Sequence, residues 1–278
     1  MRGEGDAEGE TLLRATGKQQ RSLLKISGEG NYVEDQAKAQ MLEAIYIPVG
    51  SKYVVVDDSR DFQKGASVLL SYELNAAWIK AVKMDQIIAR EGTKQWTTKE
   101  YKLKFERVIS SISGDTLFLD NPVVMAIDPQ FGKVSVVPFK FTGRIQEVGV
   151  ENLRFESEFA NETDENHAWI AIEFDKIENA WVRNITARYF GYAAVSLGAF
   201  AKQTSVINSK CLDPKSQITG DVGIHSITMV NSIYLDNYIP QKGGMIMSRE
   251  QELWGQMFLA CPLQRIPMRI LAHIIVGQ

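Results

Sequence analysis

A short signature that recurs in the second half of the chain constrains the fold most strongly. A valine followed two residues later by an asparagine occurs in VGVENLRF, AWVRNITA and TSVINSKC, each time within a strand-like apolar run. The asparagines are Asn152, Asn184 and Asn208. Asn184 and Asn208 lie 24 residues apart, and the longer step from Asn152 to Asn184 contains the polar run SEFANETDENH. The chain therefore repeats one structural unit, with a loop inserted into one copy.

A second apolar series runs in step with the first. WIAIEF is matched by AAVSLG, and Phe174 lies 23 residues before Leu197. A period in the low twenties, with two short strands and an asparagine-marked turn, predicts a parallel β-helix. One coil cannot bury its inward face alone, whereas stacked coils bury a continuous core and their asparagines can hydrogen-bond in a ladder. A β-sandwich with evenly spaced strands is the alternative.

Pattern and composition divide the chain into four regions. Residues 1–44 contain the short runs TLLRA and SLLKI between glycines, which predict an early β-helix coil. Residues 45–145 are rich in β-branched and aromatic residues and predict an inserted β module. Residues 146–220 hold the repeated coils, and residues 221–278 form a tail of different composition. The predicted fold class is all-β, a right-handed parallel β-helix with an inserted β module.

Two local features are predicted within the inserted module. Ser113-Gly114-Asp115 separates two alternating apolar runs, which indicates a β-hairpin. The segment WIKAVKMDQII predicts a short helix, since its apolar residues recur loosely at helical spacing. These residues are Ile79, Val82, Ile87 and Ile88.

Composition excludes several classes of partner. The formal net charge is -3, and no block of lysine or arginine is interleaved with aromatic residues, so neither nucleic acid nor an anionic membrane surface is expected. No window reaches the roughly 18 apolar residues of a membrane span, and the start lacks the pattern of a signal peptide. Cys211 and Cys261 are too few and too far apart for a zinc cluster or a disulfide framework. No residue is assigned as a metal ligand, the cofactor stays unknown with Ca²⁺ as an open alternative that no motif supports, and we expect a monomer.

Several of these strings resemble a known family. VGVENLRFESE, DENHAWIAIEFDKIENAWVRNITARYFGYAAVS and CLDPKSQITG are similar to large bacterial proteins, of Bacteroidetes type, in the pectate-lyase-like parallel β-helix superfamily. The resemblance covers most of residues 1–220. It implies a polysaccharide as partner, a secreted or periplasmic location for the intact protein, and a polysaccharide lyase or glycoside hydrolase activity. A non-catalytic glycan-binding or surface-attachment β-helix is the alternative.

The resemblance stops after Gly220. From Val222 to Gln278 the chain holds five of its nine methionines and only seven charged residues in 57, about half the preceding charge density. If the codons are read out of phase, AHIIVGQ can encode PHHRWA and QKGGMIMSREQELWGQMF can encode EGRHDYVTGARTVGPNVF, which resemble motifs of the family. The hypothesis is a frameshift between about Gly220 and Val222. An out-of-frame tail carries no selected apolar pattern, so we expect poor packing there and an inactive fragment.

Candidate site residues cluster near the turns of the repeated coils. Elimination chemistry needs a base and a group that stabilises negative charge, and hydrolysis needs paired carboxylates. His167 in TDENHAW is the candidate base, although a loop histidine bonded to the backbone would look the same. Asp164 and Glu165 beside it could bind Ca²⁺ or lie solvated in an acidic loop.

The remaining candidates follow the strands of two coils. In ARYFGYAAV, Arg188 is a candidate catalytic residue, and Tyr189 and Tyr192 are candidates for stacking on a sugar. In LDPKS, Asp213 is a candidate catalytic carboxylate and Lys215 a candidate substrate-binding cation. Internal aromatic packing and an exposed ion pair are the corresponding structural alternatives.

Overall fold

The fold was analysed on a computed structural model that describes residues 1–42, 46–88, 95–99, 102–198 and 200–216, and the backbone of three later strands. The described residues form two compact units. The first combines Met1–Gly30 with the described residues from Thr142 to Trp254, and the second is Asn31–Phe141. The first unit is a parallel β-helix, which confirms the predicted fold class.

The strands of the first unit come from both ends of the chain. Before the second unit they are β1 Leu12–Ala15 and β2 Ser22–Ser27. After it, where the numbering resumes at β10 because seven strands belong to the second unit, they are β10 Ile145–Gln146, β11 Gly149–Ser157, β12 Ile170–Asp175, β13 Ile177–Arg188, β14 Ala193–Leu197, β15 Lys202–Leu212, β16 Ser226–Ile227, β17 Ser232–Tyr238 and β18 Gln251–Trp254.

Two parallel sheets stack these strands coil by coil. One sheet has the order β1-β11-β13-β15-β17-β18, in which only the last pairing is antiparallel, and the other has the order β16-β14-β12-β2. Val150 aligns with Val182, and Val182 with Val206, as the repeat predicts. Phe174 aligns with Leu197 in the second sheet. Because the coils pair in parallel from β1 to β17 and throughout the second sheet, the β-sandwich alternative is wrong for this unit.

A column of asparagines marks one corner of the stacked coils. Asn184 donates from Nδ2 to Asn152 Oδ1 at 2.9 Å, and Asn208 donates from Nδ2 to Asn184 Oδ1 at 2.8 Å. Their φ angles are +55°, +51° and +46° in chain order, the left-handed conformation that asparagine tolerates better than most residues. The predicted ladder is confirmed, and each asparagine both turns the chain and bonds the next coil.

A second column of left-handed residues marks another corner. Glu147, Asn179 and Gln203 have φ angles of +57°, +53° and +50°. The pairing of Gln146 with Glu178 and of Glu178 with Lys202 puts the three at matching positions in successive coils. Their different side chains conceal this corner in the sequence, so the strand-and-asparagine pattern did not predict it.

The core of the first unit is a stack of inward-facing apolar side chains. Phe155, Ile172, Phe174, Ile185 and Val195 are fully buried. In β11 and β12, Phe155 and Phe174 each lie between two charged neighbours that face outward, as period-two geometry requires. At about 25 cal/mol per Å² of apolar surface removed from water, this stacking is the main favourable contribution to folding of the unit.

The second unit is an antiparallel β module. Its strands are β3 Tyr32–Glu34, β4 Gln40–Leu42, β5 Tyr53–Val55, β6 Ser67–Leu74, β7 Lys102–Ser113, β8 Thr116–Leu119 and β9 Gly132–Phe141, with α1 at Ala76–Ala81 and 3-10 turns at Gln36–Lys38 and Pro129–Phe131. The order is β3-β9-β6-β7-β8-β5, and β4 also pairs with β9. Residues 1–44 were expected to form an early coil of the β-helix. Strands β3 and β4 lie in this segment but pair with β9 of the second unit.

The predicted hairpin and helix are both present in the second unit. Ser113 pairs with Thr116 across the turn, where Gly114 has a φ of +55°. The helix is shorter than its apolar spacing suggested. It begins after Asn75, whose side chain accepts the backbone N–H groups of Ala77 and Trp78, and Ile79 is its buried apolar anchor.

Three strands of the predicted tail are described. β16 pairs in parallel with β14, β17 pairs in parallel with β15, and β18 pairs with β17. The other residues of the tail, with Cys261, lie outside the described residues. The frameshift concerns the gene and stays a prediction that the nucleotide sequence tests.

The asparagine column generates a stability prediction. Asn184→Ala removes bonds to both neighbouring coils and forces alanine into a left-handed conformation, so we expect a loss of about 2–4 kcal/mol in the free energy of unfolding. Asn184→Gly keeps the backbone conformation and loses only the bonds, so its loss should be about 1–2 kcal/mol. Urea unfolding followed by circular dichroism measures both. Equal stability of Asn184→Ala and the parent would contradict the role of the column.

Cys211 provides a probe of the core. Burial raises the pKa of its thiol to about 12, so the reactive thiolate is scarce at pH 8. In a Cys261→Ala variant, we expect Cys211 to react with a thiol reagent only on the timescale of unfolding, and rapidly in denaturant. Fast labelling of the folded protein would show that the coil is open at this position.

Candidate functional site

Four of the predicted site residues meet where consecutive coils leave their strands. Arg188 ends β13 and aligns with Leu212 near the end of β15, so Tyr189 and Asp213 occupy matching positions one coil apart. Both have left-handed backbone, with φ angles of +68° and +49°. The parallel stack thus joins side chains that the sequence separates by a full coil.

Arg188 and Asp213 form an ion pair across the two coils. Arg188 Nη2 lies 2.7 Å from Asp213 Oδ2, and this bond is the main reason that the pKa of Arg188 is raised further above its ordinary value. The guanidinium also lies over the Tyr189 ring, with Cζ 4.9 Å from the centroid. Arg188, Asp213 and Tyr189 therefore bring a cation, an anion and an aromatic ring into contact.

Lys215 completes the group from the turn after β15. Its Nζ lies 5.2 Å from the Phe159 centroid and 5.9 Å from the Tyr189 centroid, and it pairs with Glu162 at 2.7 Å. The Phe159 and Tyr189 rings are 5.3 Å apart and tilted by 52°. We call the six residues Phe159, Glu162, Arg188, Tyr189, Asp213 and Lys215 the corner cluster.

His167 lies beneath this cluster. It is 0% exposed, and its Nε2 lies 2.7 Å from the backbone oxygen of Lys215. A carbonyl oxygen only accepts, so Nε2 carries the hydrogen, and Nδ1, 3.0 Å from Ser157 Oγ, accepts the hydroxyl hydrogen when the ring is neutral. Ser157 in turn accepts the N–H of Ala168 at 3.1 Å. The histidine thus ties the Lys215 turn to β11.

Tyr192 belongs to a different group of aromatic residues. Its ring stacks on Trp169, with centroids 6.4 Å apart and an interplanar angle of 21°. The Trp169 indole N–H donates to the backbone oxygen of Glu165 at 3.0 Å. A side chain at Gly191 would approach Trp169 to 2.8 Å, so glycine allows the turn to pass the ring. The structure therefore pairs Tyr192 with Trp169.

The acidic side chains of the loop between β11 and β12 bond to protein groups. Asp164 accepts the backbone N–H groups of Ala160 at 2.7 Å and Asn166 at 2.8 Å, and these bonds lower its pKa. Glu165 accepts the hydroxyl of Ser216 at 2.8 Å. Among the residues that the structure describes, no group of three or more His, Cys, Asp or Glu side chains is placed to hold a metal ion.

A row of charged residues lies on the outer face of the sheet, and the sequence pattern did not predict it. Glu156 aligns with Arg14 on one side and Arg188 on the other. Partial burial would raise its pKa, but hydrogen bonds from Arg154 and Arg14 outweigh burial and hold the pKa below its usual range. Arg14 lies 142 residues before Glu156 in the chain, with the inserted unit between them. The contact could have been predicted only if the sequence had shown which later strand pairs with β1.

Sequence comparisons identify no relative of the chain. A scan against protein-family models finds no match, and a search of the curated proteins finds none. In the described residues, no helix has the length and apolar character that a membrane crossing requires.

Solved structures with similar architecture include phage tailspikes. One is the tailspike protein gp49 from Pseudomonas phage LKA1, with a TM-score of 0.46 and 12% identity over 86% of this chain and 33% of that chain. Another is the tailspike gp61 of Pseudomonas phage phi297, with a TM-score of 0.38 and 16% identity over 75% of this chain and 33% of that one.

A third similar structure is the Gp54 tailspike of Acinetobacter baumannii bacteriophage AP22, in complex with A. baumannii capsular saccharide. Its TM-score is 0.33, with 12% identity over 72% of this chain and 36% of that chain. The chain thus spans about a third of the length of these tailspikes.

His167 generates the prediction for this site. His167→Ala leaves the Ser157 hydroxyl and the Lys215 carbonyl without their buried partner, so we expect a loss of about 2–4 kcal/mol in the free energy of unfolding. Asn166→Ala, at the exposed neighbouring position, should change it by less than about 0.5 kcal/mol. Thermal or urea unfolding measures both. If the two variants were equally stable, His167 would not be a structural anchor.

Proposed function

We propose that this chain binds a polysaccharide through the corner cluster. The observation that carries the proposal is the convergence of Arg188, Tyr189, Asp213 and Lys215 from two consecutive coils. Two aromatic rings, two cations and two carboxylates stand together there at the surface. Polysaccharides offer apolar ring faces and hydroxyl groups, which such side chains bind by stacking and hydrogen bonding.

The geometry of the stack suits a long ligand. Coils of a parallel β-helix repeat about every 4.8 Å along the axis, so outward-facing residues form rows. The row of Arg14, Glu156 and Arg188 leads along the sheet to the corner cluster. An extended glycan lying along this row would contact several coils at once, and each weak contact would add to the total affinity.

Charge pairing in the cluster supports recognition of hydroxyl groups. Arg188 is paired with Asp213, and Lys215 with Glu162, so each cation already has an anionic partner. A sugar hydroxyl can donate to the carboxylate and accept from the cation without breaking either pair. Because both carboxylates of the cluster are paired with a cation, the cluster supports a glycan-binding role.

Catalysis is the second candidate, as a lyase or a glycoside hydrolase of the pectate-lyase-like type. The observation that favours it is the pair of accessible carboxylates, with the Asp213 side chain 53% exposed and the Glu162 side chain 75% exposed. Hydrolysis needs two carboxyl groups that flank the scissile bond. His167 is a weaker candidate because it is enclosed and both of its ring nitrogens are bonded. We place either role outside the cytoplasm, in a secreted or periplasmic protein.

The binding proposal predicts the effect of changes in the cluster. An Arg188→Ala/Tyr189→Ala variant should bind its polysaccharide about tenfold or more weakly, because it loses a stacking ring and the cation that lies over it. Affinity electrophoresis through gels containing alginate, polygalacturonate, xylan or galactomannan measures the change. Arg183→Ala is the matched control, since Arg183 lies on the same strand and pairs with Glu151 instead.

The results separate the two candidates. Weakened retardation of the cluster variant, with Arg183→Ala unchanged, supports binding at the cluster. Release of reducing ends, or of an unsaturated product that absorbs ultraviolet light, with loss of that activity in Asp213→Asn, supports catalysis. Equal retardation of the cluster variant and the parent would contradict both roles at this site.

A further inference from the structure

The second unit carries an exposed aromatic pair on the sheet formed by β7, β8 and β5. Tyr53 is 50% exposed and Phe118 is 37% exposed, and the two residues are direct cross-strand partners. Their ring centroids are 6.2 Å apart and the planes are tilted by 49°. Val55, next on the same face, is 43% exposed.

Strand alternation explains why these side chains face outward. Val54 and Leu117 point to the other side of the same strands and are fully buried, so the core already has its apolar residues. Tyr53, Val55 and Phe118 add nothing to that core. Single exposed apolar side chains are normal, whereas neighbouring ones form a small surface that is a candidate for ligand contact.

Hydroxyl groups on β7 and β8 lie next to the aromatic pair. Ser111 is the cross-strand partner of Phe118, and Ser113 and Val55 are the partners of Thr116. We call Tyr53, Val55, Ser111, Ser113, Thr116 and Phe118 the Tyr53 face. None of the six is charged, and they combine aromatic rings with hydroxyl donors and acceptors.

The size of the face decides which partner it fits. Three strands at a spacing of about 4.8 Å span about 10 Å, and two steps along a strand at about 3.4 Å span about 7 Å, so the face measures about 10 Å by 7 Å. A stable protein interface buries about 800 Å² on each partner, several times more than this face offers. One or two sugar rings match its dimensions and its chemistry.

We infer that the Tyr53 face binds an uncharged segment of a glycan. The aromatic rings would contact the apolar face of a sugar, and the serine and threonine hydroxyls would bond its hydroxyl groups. Because the face lies in the second unit, it is a glycan contact additional to the corner cluster and independent of the residues there.

Affinity electrophoresis of the full chain tests this inference with uncharged probes. The gels contain hydroxyethyl cellulose, arabinoxylan, galactomannan or laminarin, and alginate serves as the charged comparison. We expect at least one uncharged probe to retard the parent. A Tyr53→Ala/Phe118→Ala variant should bind that probe about tenfold more weakly, whereas Tyr53→Phe/Phe118→Tyr, which keeps both rings, should stay within about twofold.

Matched controls exclude loss of folding and effects of the other site. Met41→Ala removes an exposed apolar side chain on β4, away from β5 in the strand order, and should bind as the parent does. Circular dichroism should show the same fold in all variants. Tyr53→Ala/Phe118→Ala should weaken binding of the uncharged probe about tenfold both in the parent and in the Arg188→Ala/Tyr189→Ala background, so failure of the corner cluster and failure of the Tyr53 face give different results.

Three results would overturn the inference. The first is that none of the uncharged probes retards the parent. The second is that the double alanine variant binds as well as the parent. In the third, light scattering shows that the parent is a dimer and that the double alanine variant is a monomer, which would make the Tyr53 face a contact between copies of the chain.

Discussion

The hydrogen bonds between stacked asparagines fix the register on which the rest of the first unit depends. Asn184 bonds Asn152 in one coil and Asn208 in the next, so a coil cannot slip along its neighbour without breaking these bonds. A slip of one residue would also turn every buried side chain outward. The amide column and the apolar core therefore specify the same alignment.

Register determines the composition of the corner cluster. Arg188 meets Asp213 only because β13 and β15 run in parallel and end together, and Tyr189 follows in the same left-handed turn. His167 contributes from below, because its bond to the Lys215 carbonyl holds the turn that carries the lysine. His167, which the sequence suggested as a base, is thus a buried residue that holds this turn in place. The charged and aromatic groups at the surface belong to the corner cluster.

The sequence predicted the features that repeat and the residues that follow them. The strand-and-asparagine signature was sufficient for the register, and the turns after those strands contained four of the six corner residues. Phe159 and Glu162 were not predicted, since the loop that carries them occurs in one coil and has no repeat to compare. The partners of the first coil, such as Arg14 with Glu156, were hidden by the inserted unit between them. Tyr192 was predicted from its place in the turn after β13, and its ring stacks on Trp169.

Paired cysteines test the stacking register most directly. Arg183 and Ile207 are aligned on adjacent parallel strands. With both changed to cysteine, their Cα atoms would be about 4.8 Å apart, within disulfide range, whereas Arg183 and Ser205 would be about 8 Å apart. We predict that oxidation of the folded protein joins the Arg183→Cys/Ile207→Cys pair and not the Arg183→Cys/Ser205→Cys pair, as read by peptide mass spectrometry. The reverse result, or no disulfide in either variant, would contradict the register and with it the corner cluster.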